Sequence, residues 1–264
     1  MLELNNIYNM DCLDGLKLLQ DDSVDLTVTS PPYDNIRSYN GNIIQWNHEK
    51  FQRIADQLYR VTKPGGVVVW VVADGTENGS ETLTSFKQAL YFNEIGFSLY
   101  DTMIWEKPSP AVPTESRYYD VFEYMFVFCK GNKPKSLNLL CDRENKSAGS
   151  MSKRETRSAR EDRKLTGAYR TVKETSRRFN VWRIDRGRNL SKHPAVFPYE
   201  LARDHILSWS SPGDLVLDPF MGSGTTAVAA KNNDRDFIGF EIDKTYFDEA
   251  KVVIDVVNKQ VHLF

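Results

Sequence analysis

With 264 residues the chain can bury a full hydrophobic core, and its three cysteines, Cys12, Cys129 and Cys141, show neither a C-x-x-C nor a Cys/His spacing, so no disulfide framework or zinc site is expected and a reducing cytoplasm is the simplest home. No stretch approaches the roughly 18 apolar residues of a membrane span, and the start of the chain lacks a basic segment followed by an apolar one, so no membrane association is expected. The net charge of −2 conceals an asymmetry, because residues 143–192 carry 16 Lys/Arg against 6 Asp/Glu; the basic charge is local, as in a phosphate-contacting region on an otherwise ordinary enzyme.

In chain order, the apolar pair Ile7-Tyr8 runs into Asn9-Met10-Asp11-Cys12, and buried-type strands are expected at 23–29, 66–73, 97–105, 124–129, 214–218 and 237–242. Helical periodicity falls at 49–61, 83–95, 198–209, 225–232 and 245–257. Lys63-Pro64-Gly65-Gly66 ends the first of these helices and turns the chain into a strand. The alternation predicts an α/β sheet with helices on its faces. From about 137 the pattern fails: the chain becomes rich in Arg, Lys, Ser, Asn and Glu, with Phe179, Val181 and Trp182 as a late apolar cluster. The expected organisation is therefore 1–136, a basic loop-rich insertion at 137–190, and 191–264 completing one domain with the first part.

Two motifs carry chemistry. The strand at 23–29 ends in Ser30-Pro31-Pro32-Tyr33. Consecutive prolines donate no hydrogen bonds, so the backbone leaves the sheet stiffly with its carbonyls free to accept. Ser30 adds a side-chain acceptor and Tyr33 a flat face, a combination suited to the exocyclic amine of a nucleobase. The second motif is Asp218-Pro219-Phe220-Met221-Gly222-Ser223-Gly224-Thr225-Thr226, a strand entering a Gly-x-Gly turn and a threonine-rich helix start. Glu241, followed by Ile242, ends the next strand, where an acid can meet ribose hydroxyls. The third glycine of the dinucleotide fingerprint is missing, which favours a nucleoside over a pyrophosphate. Gly-x-Gly alone is a weak signal. Asp11 reads equally as a helix cap or a carboxylate for an adenine, and Glu241 equally as a solvated strand end. Too few residues follow Glu241 to complete a sheet, so the remaining strands must come from the amino-terminal half.

On Ser30-Pro31-Pro32-Tyr33, Asp218-Pro219-Phe220 with Gly222-Ser223-Gly224, and the order of the two, the chain resembles the permuted, β-class DNA amino-methyltransferases over nearly its whole length. The resemblance implies a circularly permuted, Rossmann-like α/β methyltransferase sheet. It implies S-adenosylmethionine as cofactor, held by Asp11, Cys12, His193, Pro194, Asp218, Pro219, Phe220, Gly222, Ser223, Gly224, Thr225, Thr226, Glu241 and Ile242. Catalysis falls to Ser30, Pro31, Pro32 and Tyr33. Double-stranded DNA would be bound through Lys107, Arg117, Arg154, Arg157, Arg160, Arg163, Arg177 and Arg178, with the target base flipped out of the helix. Serine before Pro-Pro-Tyr is usual in the cytosine-N4 enzymes of that family, so N4 is the first expectation and adenine N6 the second. An RNA methyltransferase or a non-catalytic nucleic-acid-binding subunit are the rivals. A companion restriction endonuclease and a homodimer are further expectations of the same resemblance. None of the cysteines follows a proline, so the covalent thiol chemistry of carbon-5 methylation is not expected.

Overall fold

The computed structural model describes residues 2–32, 46–109, 117–156, 164–185 and 198–260. Its elements run β1 (Asn6–Asn9), α1 (Cys12–Lys17), β2 (Val24–Thr29), α2 (His48–Val61), β3 (Thr62–Val72), β4 (Thr76–Glu77), β5 (Ser80–Glu81), α3 (Thr84–Glu94), β6 (Phe97–Glu106) and β7 (Phe122–Lys130). They continue with β8 (Arg143–Glu144), β9 (Met151–Thr156), β10 (Lys164–Thr171), β11 (Thr175–Ser176), β12 (Val181–Arg183), α4 (Tyr199–Trp209), β13 (Leu215–Asp218), α5 (Thr225–Lys231), β14 (Asp236–Glu241) and α6 (Lys244–Gln260).

Eight of the described strands form one sheet in the order β1-β14-β13-β2-β3-β7-β6-β12. Neighbours pair in parallel except on either side of β7, which runs against the rest. This is the Rossmann-like, permuted arrangement expected, and the chain builds it from both ends: β1 lies against β14, and β2 against β13. Strands covered on both faces lose the alternation of a half-exposed strand, as the buried run Val67–Val72 of β3 does, while β2 is buried throughout with Asp25, Thr27 and Thr29 between its apolar residues. On one face α1, α2 and α3 bring Leu16, Phe51, Ile54, Leu58 and Phe92 onto Val68, Trp70, Phe126 and Phe128. Val67, Val69 and Val71, equally buried, point the other way. On that side α4 packs on β2, α5 on β13 and β14, and α6 on β1 and β14.

The Lys63–Gly66 turn lies inside β3 rather than before it. Val24 pairs with Thr62 and Leu26 with Val67, so the segment between bulges out of the ladder. Gly65 holds φ +78°, and a Cβ on Gly66 would stand 2.8 Å from the Lys63 carbonyl oxygen, so both glycines are required there.

The chain divides into two compact units, Met1–Asn138 with Asn180–Phe264, and Leu139–Phe179. The second is shorter than the insertion expected from composition. Its carboxyl-terminal boundary moves because Val181–Arg183 pairs in parallel with Ile104–Glu106 as the last strand of the large sheet, with Trp182 buried and stacked on His205 at 4.6 Å between ring centroids. Within the smaller unit the basic stretch is folded as two short antiparallel pairs, β9 with β10 and β8 with β11. Among the described residues no helix is long and apolar enough to cross a membrane.

Candidate active site

The chain runs outward in opposite directions from β13 and β2, neighbours inside the sheet, and a cleft opens outside the carboxyl ends of such a pair. There the structure places Met10, Asp11 and Cys12 after β1, Ser30, Pro31 and Pro32 after β2, and the Asp218–Ser223 loop after β13. Trp46, Lys50, Thr225, Thr226, Phe240, Glu241 and Ile242 complete the lining.

Asp218 fixes the centre. It is buried, and it takes hydrogen bonds from Thr29 Oγ1 (2.6 Å) and Phe220 N (3.0 Å) on Oδ1, and from Thr226 Oγ1 (2.7 Å) on Oδ2. One carboxyl group thus ties the last residue before Ser30 to the Phe220 turn and to α5. Burial pushes this carboxyl above the ordinary carboxylate range, and the three donors work in the other direction.

Glu241 builds the second wall. Gly222 N donates to its Oε2 and Asp243 N to its Oε1, both at 2.8 Å, while Met221 N bonds the Phe240 carbonyl at 2.8 Å. The carboxylate pins the glycine turn against β14, and each oxygen keeps a lone pair for a ligand hydroxyl. Burial raises its pKa too, opposed by the Asp243 and Gly222 amides.

Asp11 fills both of the roles its sequence left open. It caps α1, accepting from Leu13 N at 2.8 Å through Oδ1, and it lines the cleft with Oδ2 held by Lys50 Nζ at 2.8 Å. Burial works against its ionisation, but the Lys50 ammonium and the Leu13 amide outweigh it and hold the carboxyl below its usual range. Cys12 lies beside it, its thiol pushed by burial to about 12. The apolar part of the lining comes from Met10, Ile242 and Phe220, the last meeting Trp46 edge-on at 5.6 Å.

Most of the residues expected at the cofactor thus converge: Asp11, Cys12, Asp218, Pro219, Phe220, Gly222, Ser223, Thr225, Thr226, Glu241 and Ile242. Gly224 does not line the cleft. It begins α5 in the left-handed region at φ +84°, its N–H is taken by the Met221 carbonyl, and an added Cβ would press on Ala250 of α6 at 3.2 Å, so its work is the turn and the helix packing. Tyr33, His193 and Pro194 lie outside the described residues.

Several of the residues expected on DNA have partners within their own unit. Lys107 is buried, not displayed: its ammonium pairs with buried Glu123 at 3.1 Å, beside the Trp105 ring. A cation so enclosed is spoken for by its partner carboxylate. Arg117 bonds the Gly79 carbonyl and faces Glu81 at 3.7 Å. Arg178 grips both oxygens of Asp142, whereas Arg177 is exposed. Arg154 sits on β9, and Arg157, Arg160 and Arg163 lie outside the described residues.

Thr29, Trp46, Lys50, Met221 and Phe240 were not anticipated. Thr29 adjoins Ser30 and looks like any strand residue until Asp218 is seen to take its hydroxyl. Trp46 and Lys50 flank the start of α2, capped by Asn47 through Lys50 N at 2.8 Å; helical periodicity alone says nothing of a cleft.

A permuted sheet with a cleft where the chain reverses direction, bordered by Ser-Pro-Pro, defines a class, and the comparison with known proteins agrees: the chain belongs to the DNA methylase family N6_N4_Mtase, matched over residues 24–252. It is therefore a DNA amino-methyltransferase. It is 53% identical over 239 residues to the orphan methyltransferase M.BamHII of Bacillus amyloliquefaciens, covering 87% of this chain and 88% of that protein. It is 28% identical over 264 residues to the DNA adenine methyltransferase YhdJ of Escherichia coli strain K12, covering 97% and 84%. Among solved structures, the cytosine-N4-specific PvuII DNA methyltransferase superposes with a TM-score of 0.70 at 23% identity, covering 96% of this chain and 91% of that one. The complex of M1.HpyAVI with SAM superposes with a TM-score of 0.57 at 25% identity, covering 94% and 98%.

Proposed function

We propose that the protein transfers the methyl group of S-adenosylmethionine to the exocyclic N4 amine of cytosine, at a specific site in duplex DNA. The observation that carries this reading is the placement of Ser30 and the Pro31-Pro32 turn on the same cleft as Glu241 and the Gly222 turn, so that a nucleoside-bearing cofactor and an amine acceptor would meet there. The cleft fits the cofactor. Glu241 keeps acceptor capacity for ribose hydroxyls, Asp11 offers an ionised carboxylate to an amino group, and Phe220, Ile242 and Met10 supply apolar contact for a planar ring. Bound there, S-adenosylmethionine supplies an electrophilic methyl group.

The protein's own part is positioning. The lone pair of an aromatic amine is delocalised into its ring, and acceptors on its two N–H groups favour the pyramidal nitrogen that can attack. Ser30 Oγ and the Pro31 carbonyl are the acceptors we assign, with Tyr33 as a stacking surface. Alignment of two bound reactants can contribute up to roughly 7–11 kcal/mol. The target base must leave the duplex, at a cost of roughly a few kcal/mol, which contacts from the basic 143–192 region would offset. Cys12, the cysteine lining the cleft, is held as a neutral thiol, which supports transfer to an amine over attack by a thiolate. The relative named as an adenine methyltransferase favours adenine N6 as the second reading. We place the enzyme in the cytoplasm, which suits its three free cysteines.

Ser30→Ala tests the assignment. Loss of one directed hydrogen bond to a reacting group should lower methyl transfer to DNA by on the order of 10²-fold, with S-adenosylmethionine affinity within about twofold of wild type. A variant that turns over normally, or that loses cofactor affinity in parallel with rate, overturns the role given to Ser30.

A further inference from the structure

The start of α2 puts a cation into the cleft for which the proposed reaction has no direct use. Lys50 Nζ bonds Asp11 Oδ2 at 2.8 Å, with the two side chains 22% and 26% exposed, and both residues line the cleft. One explanation would be a tether between α1 and α2. That tether exists elsewhere: at the other end of α2, Arg60 bonds the carbonyls of Leu16 (2.8 Å) and Leu19 (2.9 Å) and the Asp21 carboxylate (2.6 Å). Leu13 and Leu16 of α1 also share the buried core with Ile54 and Leu58. The helices are docked without Lys50.

We propose that Lys50 is a positioning residue for the cofactor's base, orienting Asp11 so that its carboxylate accepts from the exocyclic amine of adenine. This rests on the assignment of the cleft to S-adenosylmethionine. The Leu13 amide holds Oδ1 and the Lys50 ammonium holds Oδ2. With both ends fixed the carboxylate cannot rotate, and each oxygen presents its remaining lone pair in a set direction. An unfixed aspartate would have to be ordered when the ligand arrives, at a loss in affinity. The same pairing gives the site a way to tell adenine from a base carrying a carbonyl at that position, because an acceptor facing a second acceptor is repelled.

The test uses the full chain and two stable ligands, S-adenosylhomocysteine and S-inosylhomocysteine, in isothermal titration. Wild type should prefer the adenosyl ligand by tenfold or more. Lys50→Met and Lys50→Gln should bind the adenosyl ligand about tenfold more weakly and lose most of that preference, with melting temperatures close to wild type and with Lys50→Arg restoring much of it. A purely structural role would weaken both ligands equally and lower the melting temperature. That result, or unchanged discrimination in both variants, overturns the proposal. Failure of wild type to bind either ligand would instead overturn the assignment of the cleft, and the proposal with it.

Discussion

Removing the Asp218 carboxyl is the sharpest structural test of how the cleft is held. In Asp218→Ala the Thr29 and Thr226 hydroxyls and the Phe220 amide all lose their acceptor in a site where Asp218 is 5% exposed. Each stranded buried donor costs about 1–3 kcal/mol. With local relaxation, the expected loss is about 3–5 kcal/mol, or on the order of 10 °C in melting temperature for a chain of this size. Asp218→Asn should behave differently. Its Oδ1 still serves Thr29 and Phe220, and Thr226 can turn its hydroxyl to accept from the new amide, so stability should stay within about 1 kcal/mol of wild type. The two variants also separate by pH. Burial raises the folded-state pKa of Asp218, so between the unfolded and folded values the folded form binds more protons, and this group's contribution is lost as pH rises through that window. The Asn variant has no such term, so its stability relative to wild type should improve from acidic toward neutral pH. Urea denaturation of the three proteins at several pH values measures all of this. An Asp218→Ala variant less than about 1 kcal/mol below wild type would refute the claim that this carboxyl ties the β2 exit to the Phe220 turn and to α5.

Two further outcomes are expected. Gly15→Ala should destabilise by up to about 2 kcal/mol, because the gain in helix propensity is about 1 kcal/mol while overpacking costs about 1–3. The new Cβ would stand 2.4 Å from Phe240 Cε1, and since Phe240 lines the cleft, cofactor affinity should fall as well; a stabilised variant would contradict this. Titration with a thiol reagent near pH 8 should modify Cys141, which is exposed, well ahead of Cys12 and Cys129, which are buried with thiols raised by desolvation. Fast reaction of two or three thiols in the folded protein would contradict the structure.

The sequence showed the sheet and half of the site for physical reasons. Val67–Val72 of β3 is covered on both faces and reads as an unbroken apolar run, Val24–Thr29 reads as a period-2 strand, and Pro31-Pro32 and the glycine turn punctuate the ends of β2 and β13. Val181–Arg183 was hidden, since three residues after a basic stretch carry no period. The short strands of Leu139–Phe179 were hidden for a similar reason: sequences such as Met151–Thr156 and Lys164–Thr171 are polar and basic and carry no apolar alternation. Among charged residues, composition gave the sign of a region but not the partner. Lys107 and Arg178 read as DNA contacts, and folding turned them onto Glu123 and Asp142. Thr29 and Lys50 became visible only when Asp218 and Asp11, distant in sequence, arrived beside them.

The most direct test of the central claim is to incubate unmodified genomic DNA with the protein and S-adenosylmethionine, digest it to nucleosides and identify the methylated species by mass spectrometry. The account predicts N4-methylcytosine, abolished or strongly reduced with Ser30→Ala. N6-methyladenine would contradict the base assigned from Ser30, and no methylated nucleoside from a protein that binds the cofactor would contradict the proposed reaction on DNA itself.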